Sequence, residues 1–152
     1  MILVAHNIRS LHNVGAIFRN AAAFGVEKLY LTGFTATPPR KEIAKVALGA
    51  QDLVPWEAGE IGQVIASLRA EGCKIFGLDN APGSVDIATV VGSGGRGNPA
   101  PTAIVLGNEN DGIDAETQSL LDGLVHIPMA QKQSLNVSVA SGVALYALQS
   151  LL

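Results

Sequence analysis

Five short apolar runs, separated by segments with helical periodicity, constrain the fold of this 152-residue chain more than any other feature of its sequence. They are apolar almost throughout and do not alternate, which is typical of strands covered by helices on both faces. Strands that alternate with helices predict an α/β domain with a mostly parallel sheet. The runs are MILVA (1–5), KLYLTG (28–33), CKIFGLD (73–79), TAIVLG (102–107) and LVHIP (124–128).

Between these runs, three segments show helical periodicity: 14–25, 60–72 and 114–124. Asp114 is suited to cap the start of the third, and Gly72 to end the second. The apolar segment VSVASGVALYALQSLL is shorter than the roughly 18 to 20 residues that a membrane span needs, so we predict a buried helix there. Segments 33–42 and 81–102 are predicted to be loops. No linker is apparent, so we expect a single domain over 1–152.

The loop 81–102 contains a literal GxGxxG at Gly92, Gly94 and Gly97. A dinucleotide site of this type needs a helix after the glycines, to bind pyrophosphate at its N-terminus. Pro99 and Pro101 follow instead and disfavour such a helix. We therefore predict a surface connection.

Charge is distributed unevenly along the chain. The formal net charge of −3 argues against non-specific binding of nucleic acid. Residues 1–50, however, carry six basic and two acidic residues, a formal charge of +4, and the remainder carries four basic and eleven acidic, a charge of −7. A basic first third could steer a polyanion to one face, or the charges could be scattered over the surface.

The hydrophobic share of 48% and charged share of 15% exclude a disordered chain and predict a dense, close-packed interior. The lone cysteine, Cys73, cannot form an intramolecular disulfide, and the start of the chain lacks the pattern of a secretory signal. We therefore expect a cytoplasmic protein and no membrane association.

Polar residues concentrate in three segments. NVGAIFRNAAAFG places Asn13 and Arg19 six residues apart. If Asn13 caps the helix, both could converge on a ligand near its N-terminal end; the alternative is an ordinary cap and a solvated arginine without a shared role. IVLGNENDGI (104–113) is a glycine-containing turn after a strand, at the usual ligand edge of an α/β sheet. In the third segment, Ser134 and Asn136 lie where a loop enters the last helix.

A metal site is not predicted. Glu109, Asp111 and Asp114 have no histidine nearby, and their spacing does not match a calcium loop. The three histidines His6, His12 and His126 also lack the spacing of metal ligands, and the chain has no nucleophile elbow.

Together and in this order, NVGAIFRNAAAFGV, LGNENDGI, and IPM followed by SLNVSVASGVALY resemble the three motifs of SpoU/TrmH-type methyltransferases of the SPOUT superfamily. The resemblance extends over nearly the whole chain. It implies transfer of a methyl group from S-adenosylmethionine to a ribose 2′-hydroxyl of RNA, with S-adenosylhomocysteine as product and no metal. It also implies a homodimer and a trefoil knot formed by the C-terminal segment, an exception to the rule that chains are unknotted.

The resemblance assigns roles to individual residues. The catalytic set falls on Asn13, Arg19, Glu109, Ser134 and Asn136. Cofactor binding falls on Leu78, Gly107, Asn108, Ile127, Met129, Ser134 and Leu135. RNA-binding residues are expected at Arg9, Arg19, Arg40 and Lys41. Of these, Arg19 would bind the target phosphate and stabilise the charge that develops on the 2′-oxygen.

Two departures from the family pattern are visible. The loop AQKQ at 130–133 is shorter than usual and lacks glycine, which affects the expected geometry of the cofactor loop. No appended RNA-binding domain is expected, which resembles the minimal, tRNA-directed members. We therefore predict tRNA as substrate, with ribosomal RNA, a non-catalytic RNA-binding dimer or a nucleotide-binding metabolic enzyme as alternatives.

Overall fold

Seven parallel strands form one sheet in the computed structural model, which describes residues 1–91 and 100–149. Their order across the sheet is β3-β2-β1-β6-β4-β7-β5. Gly92, Gly94 and Gly97 of the GxGxxG sequence lie outside the described residues. The strands are β1 (Ile2–His6), β2 (Lys28–Thr32), β3 (Trp56–Gly59), β4 (Lys74–Leu78), β5 (Val85–Asp86), β6 (Thr102–Leu106) and β7 (Gly123–His126).

Seven helices connect or follow these strands within the described residues. They are α1 (Leu11–Ala23), α2 (Lys41–Ala47), α3 (Ala50–Leu53), α4 (Ile61–Ala70), α5 (Ile87–Val91), α6 (Ala115–Ser119) and α7 (Val137–Gln149). None of them has both the length and the apolar character needed to cross a membrane.

Helices cover both faces of the sheet, as the apolar runs predict. In β1, Leu3 and Ala5 pack into one core with Phe18 of α1 and Leu145 of α7. Val4, between them, faces a second core on the opposite side, which α4 closes with three buried side chains, Val64, Ile65 and Leu68. Because both faces are buried, the central strands are apolar at nearly every position and not only at every second one.

All five predicted strands are present, and the predicted helix ends are largely confirmed. Asp114 caps α6 by accepting a hydrogen bond from the Thr117 N–H at 2.8 Å. Gly72 follows α4 with a positive φ of 82°, a conformation that favours glycine. However, α6 ends at Ser119, well before the end of the predicted segment 114–124.

The two predicted loops are partly wrong. The segment 81–102 contains β5 and α5, and α2 begins at Lys41, inside the segment 33–42. These elements are short, and β3, which the sequence pattern also did not predict, is an exposed strand that pairs with β2 at the edge of the described sheet. Elements with few buried side chains leave little apolar periodicity for the sequence to show.

The central strands β1, β6, β4 and β7 end at one edge of the sheet, and the three polar segments begin there. From β7 the chain runs through 127–136 into α7, which packs against α1. The Asn20 side-chain amide of α1 donates hydrogen bonds to the Ser138 carbonyl at 2.7 Å and to Ser141 Oγ at 2.9 Å. The trefoil knot itself stays a prediction.

Candidate active site

A cavity of about 350 Å³ opens where β4, β6 and β7 end. Its volume lies within the range of roughly 300 to 1,000 Å³ that is common for ligand pockets. Every residue predicted for cofactor binding lines it: Leu78, Gly107, Asn108, Ile127, Met129, Ser134 and Leu135.

The lining of this cavity suits a nucleoside carrying an amino-acid side chain. Leu78, Leu106, Ile127, Met129 and Leu135 provide an aliphatic wall for a flat aromatic ring. Amide and carboxylate side chains border the same space and can orient charged groups. S-adenosylmethionine has both kinds of group, so the residues present fit it.

Glu109 anchors the segment that precedes α1. Its two carboxylate oxygens accept hydrogen bonds from the backbone N–H of Arg9 at 2.9 Å, the backbone N–H of Ser10 at 3.0 Å and the Asn13 side-chain amide at 3.1 Å. Burial opposes ionisation, but these donors outweigh it and hold the pKa of Glu109 below its usual range. Glu109 is therefore an ionised structural acceptor at neutral pH.

Asn13 connects this carboxylate to the last polar segment. Its side-chain oxygen accepts a hydrogen bond from the Asn136 side-chain amide at 3.3 Å. Asn136 Oδ1 in turn accepts from the Ser138 backbone N–H at 2.9 Å, at the start of α7. One chain of hydrogen bonds, Glu109 to Asn13 to Asn136, thus joins all three sequence motifs beside the cavity.

The turn after β6 is closed by its own backbone. Asn108 and Gly112 exchange two N–H to carbonyl hydrogen bonds, at 3.0 and 2.9 Å. A side chain on Gly107 would meet the Gly112 carbonyl carbon at 2.5 Å, so only glycine fits there. The Asp79 carboxylate accepts from the Ile113 N–H at 2.9 Å and fixes the far end of the turn.

Some cavity residues were not predicted from the sequence. Asp79, Asn80 and His126 line the cavity, and Asp79 follows directly on the apolar run of β4. That strand-end position was the available signal, because ligands bind at the carboxyl ends of parallel strands. The Asn80 side-chain amide also donates to the Gln133 carbonyl and so ties the short loop 130–133 to the cavity.

Arg19 is not brought to this cavity. Its side chain is exposed on α1, and among the described residues it has no hydrogen-bond or ion-pair partner. The condition under which Asn13 and Arg19 would converge is also not met, since Ser10, and not Asn13, is the N-cap of α1. Six residues correspond to about 600° of rotation, which points the two side chains in different directions.

The remaining predicted RNA-binding residues are exposed. Arg40 precedes α2, where its Nε lies 3.7 Å from Glu42 Oε2, and Lys41 is the first residue of that helix. Arg9 borders a different cavity, and Phe34 also lines that cavity. Within 1–91 and 100–149, no three acidic, histidine or cysteine side chains are grouped so that they could hold a metal ion.

A parallel α/β sheet with a nucleoside-sized cavity at its carboxyl edge, bordered by three linked polar motifs, is typical of nucleotide-binding α/β domains. Residues 1–146 match the model of the SpoU rRNA Methylase family. The chain belongs to this family.

Named relatives agree with this assignment. The 23S rRNA (guanosine-2′-O-)-methyltransferase RlmB of Vibrio parahaemolyticus is 34% identical over 149 residues, covering 96% of this chain and 57% of that protein. The protein of the same name from Nitrosomonas europaea is 35% identical, and 54% of it is covered. The chain thus spans little more than half the length of these curated relatives.

Solved structures show the same fold. An rRNA methyltransferase from Sinorhizobium meliloti with AdoMet bound superposes with a TM-score of 0.88 at 28% identity, covering 98% of this chain and 55% of that one. The TrmH/SpoU tRNA modifying enzyme of A. aeolicus superposes with a TM-score of 0.84 at 31% identity, covering 99% and 74%. The predicted SpoU/TrmH relationship and α/β fold are confirmed.

Proposed function

We propose that this protein is an S-adenosylmethionine-dependent methyltransferase that modifies a ribose 2′-hydroxyl of RNA, with residues 1–152 as a single catalytic domain. One observation carries the proposal: the cavity gathers every predicted cofactor residue and is bordered by the linked set Glu109, Asn13 and Asn136. Cofactor-bound relatives with the same fold support it.

When bound, S-adenosylmethionine supplies an electrophilic methyl group. The residues of this chain would hold the ribose hydroxyl in line with that group, and such positioning supplies much of the acceleration in reactions of this kind. Asn13 and Asn136 are already oriented by the hydrogen bonds described above, so little order has to be created when RNA binds.

Proton removal is assigned to a group outside this set. Both oxygens of Glu109 are occupied by N–H donors, which excludes it as the base in this arrangement. Arginine stays charged in proteins, so Arg19 cannot accept the proton. We assign Arg19 to the RNA phosphate beside the target ribose, and the proton of the 2′-hydroxyl passes to water or to a phosphate oxygen of the RNA.

The substrate class rests on the relatives. The family description and the RlmB proteins name rRNA, which favours ribosomal RNA. The A. aeolicus structure, a tRNA modifying enzyme at 31% identity, keeps tRNA as the second candidate. An RNA substrate of either kind also favours the cytoplasm as the site of action.

We further propose that two copies of the chain pair through the outer face of α7. Val139, Val143 and Tyr146 are exposed there at 51%, 39% and 64%, and they border a groove that reaches Phe24 of α1. An apolar patch of this kind on a short helix is typical of a subunit contact. Arg19 lies on the same helix α1 and would be near such a contact.

The pairing has a direct test. Val143→Glu should convert a dimer into a monomer in sedimentation velocity, because a charge would be buried without a partner. Leu53→Glu, at an exposed apolar residue on α3, is the matched control and should leave the mass unchanged. A wild-type chain that sediments as a monomer at micromolar concentration would refute the pairing.

The enzyme assay measures radiolabelled methyl transfer from S-adenosylmethionine to unmodified ribosomal RNA and, separately, to unmodified tRNA. We expect incorporation into one pool, and its loss in Arg19→Ala, while Arg69→Ala retains it because Arg69 is bound to Asp122 away from the cavity. Binding of the cofactor without transfer to either pool would overturn the proposal.

A further inference from the structure

A second cavity, of about 620 Å³, lies beside the first. It is more open, and it is bordered by Asn7, Arg9, Phe34, Asn108, Asp111, Gly112 and Asp114. Asn108 borders both cavities, so the two lie next to each other at the end of β6. None of the roles assigned above uses Phe34 or Asp111.

Phe34 is held in an exposed position by a rigid backbone. Its side chain is 60% exposed, although its backbone N–H donates to Asn7 Oδ1 at 3.1 Å. Thr35, the next residue, is buried and donates from its hydroxyl to the Ala5 carbonyl at 2.9 Å. Gly33 before it adopts a φ of 62°, and a side chain there would come within 1.8 Å of Asn7 Oδ1.

Asn7 is the support of this arrangement. It adopts a positive φ of 56°, which is uncommon for a residue with a side chain. Its backbone N–H donates to the Thr32 carbonyl at 3.2 Å, and its carbonyl accepts from the Asn108 side chain at 2.9 Å. The turn therefore fixes the backbone of Phe34 relative to Asn108, at the border of the two cavities.

Three charged side chains border the second cavity, Arg9, Asp111 and Asp114, and the Asp114 carboxylate is already bound to Thr117 at the start of α6. Arg9 and Asp111 have no side-chain hydrogen-bond or ion-pair partner in the described part of the chain. An exposed aromatic ring stacks on any nucleobase, and a nearby arginine binds phosphate or stacks in turn. An ionised carboxylate accepts hydrogen bonds from base amino and imino groups, and guanine offers two such donors side by side.

We infer that the second cavity is a nucleobase subsite for the RNA, in which a purine stacks on Phe34 and Asp111 favours guanine. This inference rests on the proposed function, because a ribose held at the first cavity would place a base of the RNA beside the second. Single exposed apolar residues are common, and Leu53 is another example, but Leu53 borders neither cavity.

The test uses two short single-stranded RNAs, one of alternating adenosine and guanosine and one of alternating cytidine and uridine. Their binding to the full chain is measured by fluorescence anisotropy at one fixed salt concentration. Phe34→Leu removes stacking but keeps an apolar side chain, and Phe34→Trp keeps stacking. Leu53→Ala is the matched surface control.

Phe34→Leu should weaken binding of the purine RNA roughly tenfold, with Phe34→Trp and Leu53→Ala close to wild type. Asp111→Asn should reduce the preference for the purine RNA over the pyrimidine RNA. The affinity for S-adenosylmethionine should not change in any of these variants. Equal effects of Phe34→Leu and Leu53→Ala, or no binding of the purine RNA by wild type, would overturn the subsite.

Methyl transfer by the wild-type protein separates the two proposals. If RNA is methylated but Phe34→Leu behaves like the control, the subsite is wrong and the proposed function stands. If no RNA is methylated, but purine RNA binds and Phe34→Leu loses that binding, the proposed function is wrong and the subsite stands.

Discussion

Glu109→Gln tests whether the glutamate holds the site together as a charged acceptor. The carboxylate accepts three hydrogen bonds of 2.9 to 3.1 Å, and a hydrogen bond to a charged group contributes roughly 1.5 to 3 kcal/mol when it is buried. Glutamine keeps one accepting oxygen and turns an NH₂ group toward a donor. Allowing for partial exposure, we expect a loss of about 2 kcal/mol in the free energy of unfolding, or roughly 4 to 8 °C in melting temperature.

The difference should depend on pH in a defined direction. Because the donors lower the pKa of Glu109 in the folded protein, its contribution is complete above the unfolded value of about 4.3 and is lost as the pH falls through the folded value. Thermal unfolding at pH 7 and near pH 3.5 measures the difference above and below the unfolded value, with Glu116→Gln as control at an exposed glutamate. Equal melting temperatures of Glu109→Gln and the control at pH 7, or a gap that widens toward pH 3.5, would refute this reasoning.

Three further changes have defined outcomes. Gly107→Ala would place a methyl group within 2.6 Å of the Gly112 carbonyl oxygen. We therefore expect the free energy of unfolding to fall by about 3 kcal/mol or more and S-adenosylmethionine to bind much more weakly. A calorimetric titration of the cofactor that matches wild type would contradict this. Ser10→Ala removes the side-chain cap of α1 and should cost about 1 kcal/mol in chemical denaturation, whereas an unchanged midpoint would show that the cap is replaced. Arg40→Ala with Lys41→Ala should weaken RNA binding and reduce its salt slope by roughly one unit per lost phosphate contact; an unchanged slope would remove both residues from the RNA surface.

The parallel sheet was predictable because its central strands are buried on both faces. The runs around Leu3, Leu29 and Ile104 are therefore continuous, and continuous runs are easy to recognise. The edge strand β3 and the short helices α2, α3 and α5 bury few side chains, so periodicity did not predict them.

The candidate site was predictable as a set of residues but not as a geometry. The three motifs, in their order along the chain, identified residues that line the cavity. Many of these residues lie at the ends of strands, and the structure brings them together. The role of Glu109 as an acceptor for the start of α1 depends on contacts 96 to 100 residues apart in the chain, which no local pattern contains. Arg19 shows the opposite case. Its position in the first motif predicted a role at the site, but the structure places its side chain away from the cavity.

Phe34 and Asp111 show a second limit of the sequence pattern. Each is unremarkable locally, and the sequence motifs assigned neither of them a role. Only the positive φ of Asn7 and its contact with Asn108 place them at one cavity.

The position of the transferred methyl group distinguishes methylation of the ribose from methylation of a base. Unmodified RNA is incubated with radiolabelled S-adenosylmethionine and then hydrolysed with alkali, which cleaves only where the 2′-hydroxyl is free. We expect the label in alkali-stable dinucleotides after reaction with wild type, and not after reaction with Asn136→Ala. Label released in mononucleotides would show methylation of a base, and it would contradict the assignment of this site to the ribose.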